Sequence, residues 1–258
     1  MEEEEGKVLV LLLRCETKQC DKNIERLKWV FSDPYFIVQI QVVNKKIEVP
    51  DDKLEYDQYV ENFYMYEMLK YASEGEYNHL PVIIIKDSSV CSLNADDDES
   101  NKGMKKRIKT ALEKAKSADL FFLCKWGDAC DKYVDVEGTS LKWSKKPTAT
   151  QAIMYTPKSR DYVLNKLLDA KTTLSELLNA NIAKEQLSAT VFQPNIIDYD
   201  INMAVAQSDY AKLSECDTNT QTVANDDSTE MAWMIIIILL IVIVIWFVIQ
   251  SFINRRRM

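Results

Sequence analysis

The stretch that most restricts the fold of this chain is Val82-Ile83-Ile84-Ile85, preceded by Leu80-Pro81. Four consecutive β-branched apolar residues leave no side for water, so the run predicts a central strand buried on both faces, as in parallel sheets. It stops abruptly at Lys86-Asp87-Ser88-Ser89. In open α/β sheets, ligands bind just beyond the carboxyl ends of such strands. Asp87 therefore stands where a metal or phosphate site is expected. The plainer reading is a polar turn that ends a core strand.

A second apolar run differs in kind. Ala232–Ile249, AWMIIIILLIVIVIWFVI, holds no charged residue. A helix of that length covers about 27 Å, close to the hydrocarbon thickness of a bilayer. Trp233 and Trp246 lie near its two ends, as interfacial anchors do. Residues 231–253 are thus expected to form a transmembrane helix, followed by a basic tail, 254–258, that contains Arg255, Arg256 and Arg257. Setting those three aside leaves 29 of the 32 Lys and Arg residues against 40 Asp and Glu, a net of −11 before the span. So acidic a domain has no electrostatic footprint for nucleic acid and should be repelled by anionic lipid surfaces. The membrane is the partner implied, through the C-terminal helix. Met1–Glu5 is acidic and Val8–Leu13 is too short for the apolar core of a secretory signal. These features predict a tail-anchored protein with its N-terminal domain in the cytosol, although the arginine tail by itself favours the opposite orientation.

Between the termini, strand-like and helix-like patterns alternate. Lys7–Leu13 reads as a buried strand, Ile24 to Phe31 as a helix, and Tyr35–Val43 as a second strand. Tyr59–Ala72 then reads as a helix ahead of the central strand, and Met104–Lys116 as an amphipathic helix after it. Leu120–Cys124 and Thr148–Tyr155 read as strands, and Pro157 opens a helix at its first turn. Leu174–Ala183 and Ser188–Ile197 close the domain as a helix and a last strand. The order predicts a single α/β domain, 1–205, with a mostly parallel central sheet. Residues 206–230, polar and poor in aromatics, read as a flexible stalk.

Several chemistries are disfavoured. With five glycines in all, neither the dinucleotide-binding nor the P-loop fingerprint occurs. The single His79, a loop residue before the central strand, leaves only one imidazole for acid–base work. Cys15, Cys20, Cys91, Cys124, Cys130 and Cys216 lack zinc-knuckle spacing and read as scattered thiols, with a Cys124–Cys130 bridge left open. Asp96, Asp97 and Asp98, within Asn94–Gly103, could bind a divalent cation, but three adjacent aspartates more often mark a solvated loop.

Over Ala118–Ala170 the sequence SADLFFLCKWGDACDKY, which begins at Ser117, followed by PTATQAIMYTPKSRDYVLNKLL, resembles glycosyltransferase family 25, the procollagen galactosyltransferase and lipopolysaccharide sugar transferase type. Val8–Arg14 with Arg26 is similar to the family's opening strand and first arginines, and Met65–Ser89 to the helix and strand that end in its acidic Glu-Asp-Asp motif. The resemblance implies a GT-A-like fold that binds a nucleotide sugar, with Mn²⁺ or Mg²⁺ held on the diphosphate by the acidic motif. Such an ion offsets the charge that gathers on the leaving diphosphate. Here that motif appears as Lys86-Asp87-Ser88, so two of three carboxylates are missing. By the same resemblance Arg14 and Arg26 would meet phosphates, Lys86 and Ser88 would assist Asp87, Gln151 would face the sugar and Trp126 would stack on a sugar or base. Two functions follow: a membrane-anchored transferase, or an inactive fold serving as a membrane-anchored structural or interaction protein with a protein partner. Short members with altered acidic motifs resemble those of large DNA viruses, which makes a virion membrane one home for either.

Overall fold

The computed structural model describes residues 7–14, 18–42, 56–87, 89–91, 98–124, 134–147, 149–167, 169–193 and 195–199. All fall within one compact unit, Met1–Cys216. The segment expected to span a membrane lies outside them. Among the described residues no helix is long and apolar enough to cross a bilayer.

The organising strand of the fold is β1 (Val8–Leu13), buried at every position. It pairs in parallel with β2 (Phe36–Gln41) on one side and β3 (Val82–Ile85) on the other. Because side chains alternate across a strand, Val8, Val10 and Leu12 enter one core while Leu9, Leu11 and Leu13 enter another. The first core lies under α1 (Lys18–Val30) and α3 (Asp98–Lys114). The second lies under α2 (Tyr56–Ser73), α4 (Pro157–Leu167) and α5 (Leu174–Ala183). The result is three layers, with helices on both faces of a sheet whose central strands, β1, β3, Leu120–Phe122, Ala152–Tyr155 and Ala189–Phe192, are buried. Thr173 and Glu176 form a reciprocal capping box that starts α5.

The remaining strands are β4 (Ser89–Cys91), β5 (Leu120–Phe122), β6 (Val134–Asp135), β7 (Leu141–Ser144), β8 (Ala152–Tyr155), β9 (Ala189–Phe192) and β10 (Ile197–Tyr199). Among the described residues the main sheet has the order β2-β1-β3-β8-β5-β9-β7-β6, and β4 pairs with β10 in a separate ribbon. Three pairings in the main sheet are parallel, but β8 runs antiparallel between β3 and β5, and β7 reverses against β9 and β6. The sheet is therefore mixed rather than mostly parallel. The reversal has a consequence for the site: Ala152, the first residue of β8, pairs with Ile85, the last residue of β3.

Three local expectations need correction. The stretch read as a solvated loop, Asn94–Gly103, is partly helical, since α3 begins at Asp98. The strand expected over Thr148–Tyr155 is confined to Ala152–Tyr155, and the one expected over Ser188–Ile197 is two strands in different sheets. Cys20 and Cys124 are buried thiols of the first core; Cys130 lies outside the described residues.

Candidate functional site

The carboxyl ends of β1 and β3 open into a cavity of about 330 Å³. Its apolar wall comes from Leu13 and Ile84 on the sheet and from Met65 and Met68 on α2; its polar groups are Glu61, Lys86, Asp87 and Gln151. Helix α2 buries Asn62, Met65, Leu69 and Ala72 on one stripe. Glu61, four residues before Met65 and seven before Met68, stands at the edge of that stripe and so reaches the sheet end.

Lys86 and Glu61 form an ion pair across the cavity floor. The Lys86 ammonium also donates to Thr150 Oγ1 at 2.8 Å, and Thr150 Oγ1 donates to Glu61 Oε1 at 3.2 Å. Burial alone would push the Glu61 carboxyl up. The Lys86 ammonium beside it, with the hydrogen bonds from Lys86 and Thr150, outweighs burial and holds the group below the usual glutamate range. Lys86 is thus paired within the protein, with two of its three ammonium donors engaged by Glu61 and Thr150.

The turn after β3 is fixed by main-chain bonds. Lys86 N–H donates to Gln151 O at 2.8 Å, and Ser89 N–H donates to Lys86 O at 3.1 Å. The buried Ser89 hydroxyl adds a bond to Gln151 O at 3.2 Å. These contacts set Asp87 and the Gln151 side chain in the same cavity. Among the described residues, the Asp87 carboxylate takes no hydrogen bond or ion pair. Four buried side-chain oxygens lack a partner there: those of Asn62, Gln151, Tyr155 and Asn179. Of these residues only Gln151 lines this cavity. A buried acceptor left unmade costs about 1–3 kcal/mol, so the Gln151 amide oxygen is held at a cost to the fold beside this cavity.

The other expected residues are distributed elsewhere. Arg14 follows β1 but turns back onto Asp21, with Nε and Nη2 each 2.9 Å from Oδ1, and does not line the cavity. Arg26 is exposed on α1, the helix on the opposite face of the sheet. Ser88, Trp126, Asp96 and Asp97 lie outside the described residues, as does the side chain of Asp98. His79 is an exposed turn residue. Glu61 and Thr150 were not expected. The signal for Glu61 was present in the sequence as a carboxylate in step with Met65 and Met68 along one helix face.

Among the described residues no group of three His, Cys, Asp or Glu side chains could hold a metal ion. The residues present do not form a closed cation cage. A hard ion that arrives with most of its shell on phosphates and water would find one unengaged carboxylate there, that of Asp87, with the Gln151 amide in the same lining. Mg²⁺ is commonly bound in that manner.

An α/β/α domain with a ligand-sized polar cavity at the carboxyl ends of its central strands is the class that fold and site define. No protein-family profile matches the chain, and no curated protein matches it. Among solved structures the chain is similar to one described as "crystal structure of a glycosyltransferase involved in the glycosylation of the major capsid of PBCV-1". The identity is 8% and the TM-score 0.48, over 80% of this chain and 99% of that one.

Proposed function

We propose that this domain is a glycosyltransferase-type fold that binds a nucleotide sugar, as a metal complex, in the cavity at the end of β3. The observation that supports the reading is the convergence of Asp87 and the orphaned Gln151 oxygen in one cavity, from segments 64 residues apart in sequence. The cavity's ionisable lining is Glu61, Lys86 and Asp87, a net of −1. A bare diphosphate would be repelled by that lining. Bound Mg²⁺ or Mn²⁺ would supply the missing positive charge and stabilise charge on the diphosphate. Asp87 and Gln151 would hold the ion, Lys86 would orient Glu61, and the apolar wall of Leu13, Met65 and Met68 would exclude water. The proposal includes anchoring to a membrane through 231–253, which the uncharged run Ala232–Ile249 supports.

A specific feature favours a second reading, in which the fold is inactive and serves as a membrane-anchored interaction subunit. Lys86 stands where the family's acidic motif carries a carboxylate, and its charge is consumed by Glu61.

Calorimetric titration of the full-length protein in neutral detergent separates the two. With uridine and guanosine diphosphate sugars, binding is expected only with Mn²⁺ or Mg²⁺ present. Asp87→Ala should weaken it by at least about tenfold, the effect of losing one charge-assisted contact. A folded protein that binds no donor with either metal would overturn the transferase reading and leave the interaction subunit.

A further inference from the structure

The acidic net charge of the chain conceals an asymmetry between its two helix layers. By sequence, α1 and α3 together carry ten Lys and Arg against five Asp and Glu, a net of +5 in a chain of −8. The layer on the other face of the sheet, α2, α4 and α5, carries four against five. α1 and α3 pack side by side over the first core, so their outer faces adjoin. Along α3, Lys106 and Lys109 stand opposite the buried Met104, Ile108 and Ala111. Along α1, Lys18 and Lys22 stand opposite the buried Cys20, Ile24 and Leu27. All four lysines are exposed, and none makes an ion pair or hydrogen bond among the described residues. The carboxylates beside them are largely engaged: Asp21 with Arg14, Glu25 with Lys28 and Asp33 with Lys105. Glu113, also exposed on α3, is the one that opposes the lysines.

Range decides whether this face or the net charge governs an encounter. The two helix layers are about 20 Å apart, at about 10 Å per layer spacing. In physiological salt, charges are screened over about 8 Å. An anionic surface that touches α1 and α3 therefore meets their lysines and scarcely senses the acidic layer behind the sheet. The repulsion from anionic lipid expected of the whole domain does not apply to this face. The described chain also ends on this side. β10 pairs with β4, β4 packs on α1, and Ile197 enters the first core, so Tyr199 stands on the α1 side of the sheet. Residues 200–230 separate it from the segment expected to span a membrane.

We propose that the outer face of α1 and α3 docks on the anionic headgroups of the membrane that the C-terminal segment enters. The inference rests on the anchoring included in the proposed function and not on donor binding. Lysine suits such a contact. It is a hydrated point charge on a flexible stem, able to follow a fluid headgroup layer, and it is depleted at the centres of protein interfaces. Each lysine brought to an anionic surface raises occupancy about fivefold.

The test places the full-length protein in nanodiscs of phosphatidylcholine, alone or with about 30% phosphatidylserine, and reads lysine acylation by a neutral ester in a mass spectrometer. At about 0.1 M salt, Lys18, Lys22, Lys106 and Lys109 should react at least about threefold more slowly in the anionic discs. At about 1 M salt, where screening shortens to about 3 Å, the two discs should give equal rates. Lys158 and Lys166, on α4 behind the sheet, should react alike in both discs. The double variant Lys106→Gln, Lys109→Gln should bring Lys22 in anionic discs close to its rate in neutral ones, with circular dichroism melting unchanged. Equal rates for the four lysines in both discs would overturn the docking, and equal slowing of Lys158 and Lys166 would overturn the choice of face. Slowing in both discs that deepens with protein concentration would assign the face to an acidic protein surface instead. Entry into phosphatidylcholine discs reads the anchor separately. If the protein enters none, the anchor fails, and flotation with vesicles of the phosphatidylserine mixture reads the docking; absence of flotation there would overturn it.

Discussion

Two ion pairs, at opposite edges of the same sheet, use their carboxylates in opposite ways. At the amino ends of β5 and β9, Asp119 is the buried partner, its side chain 12% exposed against 77% for Lys158. Both carboxylate oxygens are occupied. Oδ1 takes the Lys158 ammonium at 3.0 Å, and Oδ2 takes Ser188 N–H at 2.9 Å with the Ser188 hydroxyl also 2.9 Å away. At the carboxyl ends of β1 and β3 the burial is reversed: Lys86 is 13% exposed and Glu61 41%. Only Oε1 of Glu61 receives bonds, from Lys86 and Thr150; Oε2 has none among the described residues. A carboxylate with both oxygens engaged by the protein holds strands together. One half engaged, facing a cavity beside the unengaged Asp87, retains capacity for a ligand. The amino edge is built for stability and the carboxyl edge for binding.

The strongest break in that comparison is Asp119→Ala. It leaves the half-buried Ser188 N–H without its acceptor, while the Ser188 hydroxyl still has Ser117 O, so the loss should be about 2 kcal/mol. For a domain of this size that is a fall in melting temperature of about 5–10 °C, read by circular dichroism. Lys158→Ala, at the exposed end of the same pair, should cost under about 1 kcal/mol. The pH dependence has a defined sign. Burial would raise the Asp119 carboxyl, but the Ser188 backbone N–H and the Lys158 ammonium outweigh it and hold it below the ordinary aspartate range. Its stabilising contribution is therefore complete above the unfolded pKa of about 3.9 and is lost as pH falls through the lower folded value. Melting of Asp119→Asn should be flatter across that acid window than melting of the unaltered protein. Equal acid slopes for the two would remove Asp119 from the account.

An intermediate effect is expected from Glu61→Gln. Glu61 is part-exposed, so the change in stability should stay within about 1 kcal/mol. Its effect on binding is larger, because the cavity lining goes from −1 to neutral and the Lys86 ammonium loses its counter-charge. If the β3 cavity takes a diphosphate, this variant should bind nucleotide sugars without metal about tenfold more tightly than the unaltered protein does. A metal requirement identical in the two proteins would show that Glu61 does not set the charge of the site.

The parts of the fold legible in the sequence are those fixed locally. β1 and β3 are continuous apolar runs because both faces of each are buried, and α5 shows its periodicity between Thr173 and Ala183. The short hairpin of β6 and β7 was not foreseen, because Val134-Asp135 and Leu141-Lys142-Trp143-Ser144 carry too few apolar positions to alternate visibly. The site divides in the same manner. Asp87 and Lys86 follow directly from where β3 must stop. Thr150 meets Lys86 only because β8 enters the sheet backwards, a pairing that no local pattern encodes. Arg14 sets a local pair beside a longer-range expectation. The resemblance placed it on phosphate, but Asp21, seven residues on at the start of α1, is a nearer partner and claims the guanidinium.

The smallest expected effect sharpens the comparison most, because its two readouts move in opposite directions. Gln151→Met keeps the length of the side chain and removes an amide oxygen that is buried without a partner. A residue held only for structure should be replaced at a loss. Here the deletion removes an unpaid desolvation penalty, so stability should be unchanged or rise by up to about 1 kcal/mol, or about 2–4 °C in melting temperature. Donor binding in the presence of Mn²⁺ should fall by several-fold, since a ligand group that would have met the oxygen finds a thioether instead. Gain on one axis with loss on the other is the signature of a group kept for a ligand at the expense of the fold. Destabilisation with unaltered binding would instead assign Gln151 to the turn that holds β3 and β8 together, and would leave Asp87 alone in the cavity.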